Sequence, residues 1–134
     1  MYLVDTSVWI DFFKAKPLPA VERLKALLTT GSDVGISTTI LQEILQGTAD
    51  ERQFARYRSY FETQPIYLPE DPIESVIAAA QVYFHCRRRG ITVRSSNDCL
   101  IAQTAVEQGL ILLHNDEDFR RIAGVMKDLR EISS

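Results

Sequence analysis

The sequence predicts an α/β fold with a parallel sheet covered by helices on both faces. Short apolar runs alternate with amphipathic, helix-length segments along all 134 residues. No internal repeat, low-complexity tract or linker interrupts that alternation, so residues 1–134 read as one domain. Acidic residues also stand directly behind two of the apolar runs, where open parallel sheets gather their ligands.

Taken in order, Tyr2-Val4 reads as a strand and Ser7-Lys14 as a short helix with Trp9, Ile10 and Phe13 as apolar contacts. Pro19 opens a helix through Leu28, with Val21, Leu24, Leu27 and Leu28 at helical spacing, and Gly31 ends it. "DVGIS" gives a second strand, and Ser37 or Thr38 caps the helix of "TTILQEILQG", closed by Gly47. Asp50-Thr63 is a helix with Phe54, Tyr57 and Phe61 on one stripe, and "PIYLP" is strand-like. Pro72 marks the start of a helix that runs to about Arg89 and stops at Gly90. Ser96-Gln108 is the next helix, "LILLH" a buried strand, Asp116-Ala123 a short helix and Asp128-Ile132 a last strand.

Composition excludes several classes of protein. A formal charge of −3 argues against gripping nucleic acid by bulk basicity. It leaves open an acidic site that holds phosphate through a divalent cation, which inverts the local electrostatics. No apolar stretch approaches the roughly 20 residues of a membrane span. Asp5 interrupts the first apolar run, so no signal peptide is expected and the expected compartment is the cytoplasm. Cys86 and Cys99 are isolated thiols, which indicates neither a disulfide framework nor a zinc site.

The carboxylates carry the chemistry. Asp5 follows the first strand and Asp116 the "LILLH" strand, so adjacent strands would bring the two together. Each also suits a helix N-terminus, through capping and the helix dipole. Asp98 shares a helix face with Ile101, Ala102 and Ala105, on a helix that is apolar nearly all round. A carboxylate there must be paired, protonated or bound to a cation. Glu43 flanks the Ile40, Leu41, Ile44, Leu45 stripe, where a solvated Glu is common, and Asp118 reads as an exposed first-turn charge. Brought together, such acids raise one another's pKa values, and Mg2+ or Mn2+ removes that penalty because both favour hard oxygen ligands. The chemistry such a site supports is attack of activated water on a phosphodiester.

"VDTSVWIDFF", "TTILQEILQG", "RSSNDCLIAQTAVEQG" and "LILLHNDEDFRRIA", in that order, resemble the PIN domain, and more narrowly the VapC ribonuclease toxins of bacterial type II toxin–antitoxin systems. The resemblance spans nearly the whole chain. It implies an α/β/α sandwich around a central parallel sheet and a Mg2+- or Mn2+-dependent endoribonuclease with an acidic quartet of Asp5, Glu43, Asp98 and Asp116. Thr6 or Ser7 falls where the family keeps a hydroxyl near the metal, and Asp118 matches a further acidic position that supports the site. His114 stands where many relatives carry Ser or Thr, as a polar strand end, an outer partner of the site or a proton shuttle.

The resemblance also implies a homodimer. It further implies a small VapB-like antitoxin whose tail crosses the active-site groove and brings a basic side chain to the carboxylates. Trp9, Phe12, Phe13, Phe54, Tyr57 and Phe61 suit such a surface, though core packing explains most of them. For RNA, the basic candidates are Arg94, just ahead of Asp98, and Arg87 in "HCRRRG", where Arg87–Arg89 equally suit a helix C-terminus. Three other readings stay open: a housekeeping PIN-type nuclease without antitoxin, a binding module that docks a basic tail or RNA without cutting, and transfer through an aspartyl phosphate. The last wants a second acid two residues after Asp5, where this chain has Ser7.

Overall fold

The computed structural model describes residues 1–134. The chain runs β1 (Tyr2–Val4), α1 (Thr6–Phe13), α2 (Pro19–Thr29), β2 (Val34–Ser37), α3 (Thr38–Gln46), α4 (Glu51–Glu62) and β3 (Ile66–Tyr67). It continues through α5 (Glu74–Arg88), α6 (Ser96–Glu107), β4 (Ile111–Leu113), α7 (Glu117–Val125) and β5 (Arg130–Ile132). All strand pairs are parallel, in the order β3-β2-β1-β4-β5. Helices α1 to α4 pack among themselves, as do α5 to α7, giving the α/β/α layering. No helix is long and apolar enough to cross a membrane.

Local chemistry sets the element ends. Ser37 caps α3, its Oγ accepting the Ile40 N–H at 3.2 Å. Asp50 accepts the Gln53 N–H at 2.8 Å while Gln53 Oε1 accepts the Ala49 N–H at 2.8 Å, a reciprocal cap on α4. Helix α5 begins at Glu74 rather than at Pro72. Asp71 Oδ1 accepts the N–H groups of Ile73 and Glu74 at 2.9 and 2.8 Å and so holds Pro72 in the turn ahead of the helix.

The core lies on both sides of the central strands. Leu3, Val4, Ile36, Leu112 and Leu113 are fully buried, with Trp9 and Phe61 among the helices α1 to α4 and Ile101 and Phe119 among α5 to α7. The α4 stripe is graded: Phe61 is buried and Tyr57 half-buried, while Phe54 is exposed. Core packing therefore claims Trp9 and Phe61, and it leaves Phe54 on the surface.

Topology fixes where the site falls. From β1 the chain steps outward to β2 and β3, then returns across the sheet to β4 on the other side of β1. The connection reverses between β1 and β4, so a crevice opens beyond their carboxyl ends. Asp5 and His114 are the first residues past those two strands.

Candidate metal centre

Five acids from four places in the fold line one cleft of about 350 Å³: Asp5, Glu43, Asp98, Asp116 and Asp118, with Thr6, Ser7 and Arg94 around them. Asp5 leaves β1 and caps α1, its Oδ2 accepting the Ser7 backbone N–H at 3.0 Å and the Ser7 Oγ–H at 2.6 Å. The Thr6 hydroxyl donates to Glu43 Oε1 at 2.8 Å, which ties α1 to α3 across the cleft floor. Ser7 Oγ in turn accepts the Asn115 N–H at 3.1 Å, fastening the segment after β4 to α1. The two hydroxyls thus hold acids and backbone in register, a job their positions in sequence left open.

Asp98 sits in the first turn of α6, one of six buried residues on that helix. Burial, then the charges of Asp5, Asp116, Glu43 and Asp118, push its carboxyl up to about 8. Burial also pushes Asp5 up to about 6, against the lowering effect of its bonds from Ser7. Neither group has a cationic partner, so in the folded chain both hold protons more tightly than an ordinary carboxyl. Carboxylate oxygens of Asp98, Asp116 and Asp118 lie within 4.8 Å of one another. A tight oxygen cluster that includes the proton-loving Asp98, with the buried Asp5 in the same cleft, forms a donor set that a hard divalent ion fits.

Asp118 differs from the sequence expectation. Its side chain is only 1% exposed, not a solvated first-turn charge. Burial would raise its pKa, but the Arg94 backbone N–H (3.0 Å), Arg94 Nε (3.1 Å) and Arg121 Nη1 (2.8 Å) outweigh that and lower it. Both of its oxygens are therefore engaged. Asp116 caps α7, with Oδ1 accepting the Asp118 N–H at 3.0 Å and Arg94 Nη2 at 2.8 Å.

His114 is fully buried and does not line the cleft. Its Nδ1 accepts the Asp116 N–H at 3.2 Å and its Nε2 lies 3.0 Å from Glu131 Oε1. With Nδ1 an acceptor, the proton belongs on Nε2, donated to Glu131. Both nitrogens are thus spoken for, so the shuttle reading gives way to a bracket that orients the backbone at Asp116. Arg87 is also away from the cleft, exposed on the last turn of α5. Two residues escaped sequence reasoning. Arg121 was signalled only by its place three residues after Asp118, a common surface pairing on helices. Asn115, whose amide donates to Asp11 Oδ2 at 3.1 Å, carried no signal beyond lying between His114 and Asp116.

A family profile for the PIN domain matches residues 2–125. The chain belongs to the PIN domain family. This PIN domain is 36% identical over 126 residues to the VapC ribonuclease Mb1587 of Mycobacterium bovis, covering 93% of each chain. It is equally similar, 36% over 126 residues and 93% of each chain, to the ribonuclease VapC11 of Mycobacterium tuberculosis. Its fold is also similar to that of the DNA-bound VapBC of Salmonella typhimurium, with a TM-score of 0.73 and 26% identity over 98% of this chain and 96% of that one. VapBC2 from Rickettsia felis, crystallised on a promoter DNA fragment, superposes with a TM-score of 0.74 at 19% identity, covering 98% of this chain and 96% of that one, and speaks for the fold alone.

Proposed function

We propose that this PIN domain is an endoribonuclease toxin that hydrolyses RNA phosphodiester bonds with Mg2+ or Mn2+. In this reading Asp5, Glu43, Asp98 and Asp116 hold the ion and Thr6, Ser7, His114 and Asp118 support them. The observation that carries it is the convergence of Asp5, Glu43, Asp98 and Asp116, from four separate elements, on one cleft at the sheet's switch point. When bound, a divalent ion supplies charge neutralisation and activates water for attack on the phosphate. The chain's own residues do the positioning: Ser7 fixes one oxygen of Asp5, and Thr6 orients Glu43. His114 and the α7 cap aim Asp116.

Substrate contact falls to Arg94, which lines this cleft and also an adjoining polar one of about 550 Å³ shared with Asn115, Asp116, Glu117 and Arg121. Such arginines position phosphate without reading sequence. The cytoplasm is the compartment, and the toxin is a homodimer. Exposed Ile73, Val76, Ile77 and Phe84 along α5 support self-association. A VapB-like antitoxin is the partner, supported by the resemblance to VapBC complexes and by an aromatic cavity of Trp9, Phe13 and Tyr57 that shares Ile10 with the acidic cleft.

The test is cleavage of RNA by purified protein freed of antitoxin, in Mg2+ or Mn2+, beside Asp5→Ala and Asp98→Ala. The expected loss in each variant exceeds about 100-fold, the upper range for removing a mere outer partner of a metal site. Equal cleavage by wild type and both variants points to a contaminant and overturns the assignment.

A further inference from the structure

The cleft contains its own cation. Arg94 reaches in from the loop between α5 and α6, its Nη2 on Asp116 Oδ1 at 2.8 Å and its Nε on Asp118 Oδ2 at 3.1 Å. The two contacts are unlike. Asp118 is buried and also accepts the Arg94 backbone N–H and Arg121, so the loop stays anchored there whatever the guanidinium tip does. The Asp116 side chain is 25% exposed and that of Arg94 69% exposed, which makes the Nη2 contact the releasable one. Asp116 is also one of the three acids whose oxygens cluster within 4.8 Å, so Nη2 sits on a carboxylate that a bound ion would share.

We propose that Arg94 is an internal counter-ion that competes with the divalent ion for Asp116, while its Nε stays on Asp118. This rests on the metal-site reading above and adds a regulator to it. One positive charge can neutralise the metal-free cleft only in part, since Asp5 and Asp98 lie beyond its contacts. A doubly charged ion meeting Asp5, Asp98 and Asp116 together displaces the tip, which then faces the adjoining polar cleft beside Arg121. Ion loading and the release of a phosphate-binding guanidinium from Asp116 become one event. By linkage, phosphate that captures the freed tip tightens ion binding by the same factor.

The test reads Mn2+ affinity by calorimetry on the full chain without RNA, in wild type, Arg94→Gln, Asp116→Asn and the double variant. Arg94→Gln should bind Mn2+ about fivefold more tightly, the scale of one exposed ion pair. In the Asp116→Asn background the same substitution should change affinity by less than about twofold, because the contested carboxylate charge has gone. Arg121→Gln removes an equal charge without vacating Asp116 and should tighten binding by less than Arg94→Gln. Circular dichroism confirms that each variant is folded, and Arg94→Met replaces Arg94→Gln if the glutamine variant is not. Unchanged or weaker Mn2+ binding in a folded Arg94 variant overturns the proposal. So does an Arg94 effect that survives intact in Asp116→Asn, since that is a through-space charge effect and not competition. Absence of any Mn2+ binding to wild type sinks the metal-site reading and this inference with it; binding that Asp98→Asn abolishes but Arg94→Gln leaves unchanged sinks this inference alone.

Discussion

Asp118 shows how one buried carboxylate organises its neighbours. It accepts a backbone N–H and a guanidinium from Arg94 and a second guanidinium from Arg121, with its own side chain only 1% exposed. Truncating it strands the Arg94 N–H and leaves two arginines without their shared anchor. Asp118→Ala should therefore cost about 2–4 kcal/mol of stability, read as a lower denaturant midpoint at unchanged slope. Its lowered pKa sets a direction with pH: the stabilisation is present above the ordinary carboxyl range and is lost as pH falls below that range through the lower folded-state value. An unfolding free energy within about 0.5 kcal/mol of wild type at pH 7, the scatter of surface substitutions, would mean that the three hydrogen bonds contribute nothing net.

At the scale of elements, the sheet is pinned by a close approach between β2 and β3. A Cβ at Gly35 would come within 2.6 Å of the Tyr67 ring and 2.7 Å of the Pro65 carbonyl oxygen. The Tyr67 ring can turn, but the Pro65 oxygen belongs to the backbone that accepts the Ile36 N–H at 3.1 Å. Gly35→Ala should thus push β3 away and destabilise by about 1–3 kcal/mol, the range of overpacked cores, with the loss seen in thermal melts. The apolar alternation made every strand and helix legible, because each buries a face set by its own local pattern. Asp98 was legible for the same reason: a carboxylate on a helix apolar nearly all round has few places to go. Asp118 was not, since its burial depends on Arg94, which is 24 positions earlier in the chain. Glu43 looked like a surface residue until Thr6, 37 positions away, was seen to reach it. The α5 start moved for a local reason that the proline obscured, the Asp71 cap.

Across the whole molecule, the acidic cleft is a stability cost that the rest of the core must carry. Asp5 and Asp98 are raised from 3.8 to about 6 and about 8, so between those values and the ordinary carboxyl range the folded chain binds protons that the unfolded chain has released. Stability in that window falls as pH rises, with the contribution complete below about pH 4 and gone once pH passes the folded values. In EDTA, about 5 kcal/mol of stability should therefore be lost between pH 5 and pH 8, with the melting temperature lower by roughly 15 °C. Asp98→Asn should remove most of that slope, because an amide at this position has no charge to desolvate. Millimolar Mg2+ or Mn2+ should raise the melting temperature more at pH 8 than at pH 5, since the ion binds the deprotonated acids and only the folded chain gathers them. A melting temperature in EDTA that is flat or rises from pH 5 to pH 8 would contradict this account. The cleft would then be balanced by cations already on the chain, and Arg94 and Arg121 would have to neutralise far more than the two carboxylates they touch.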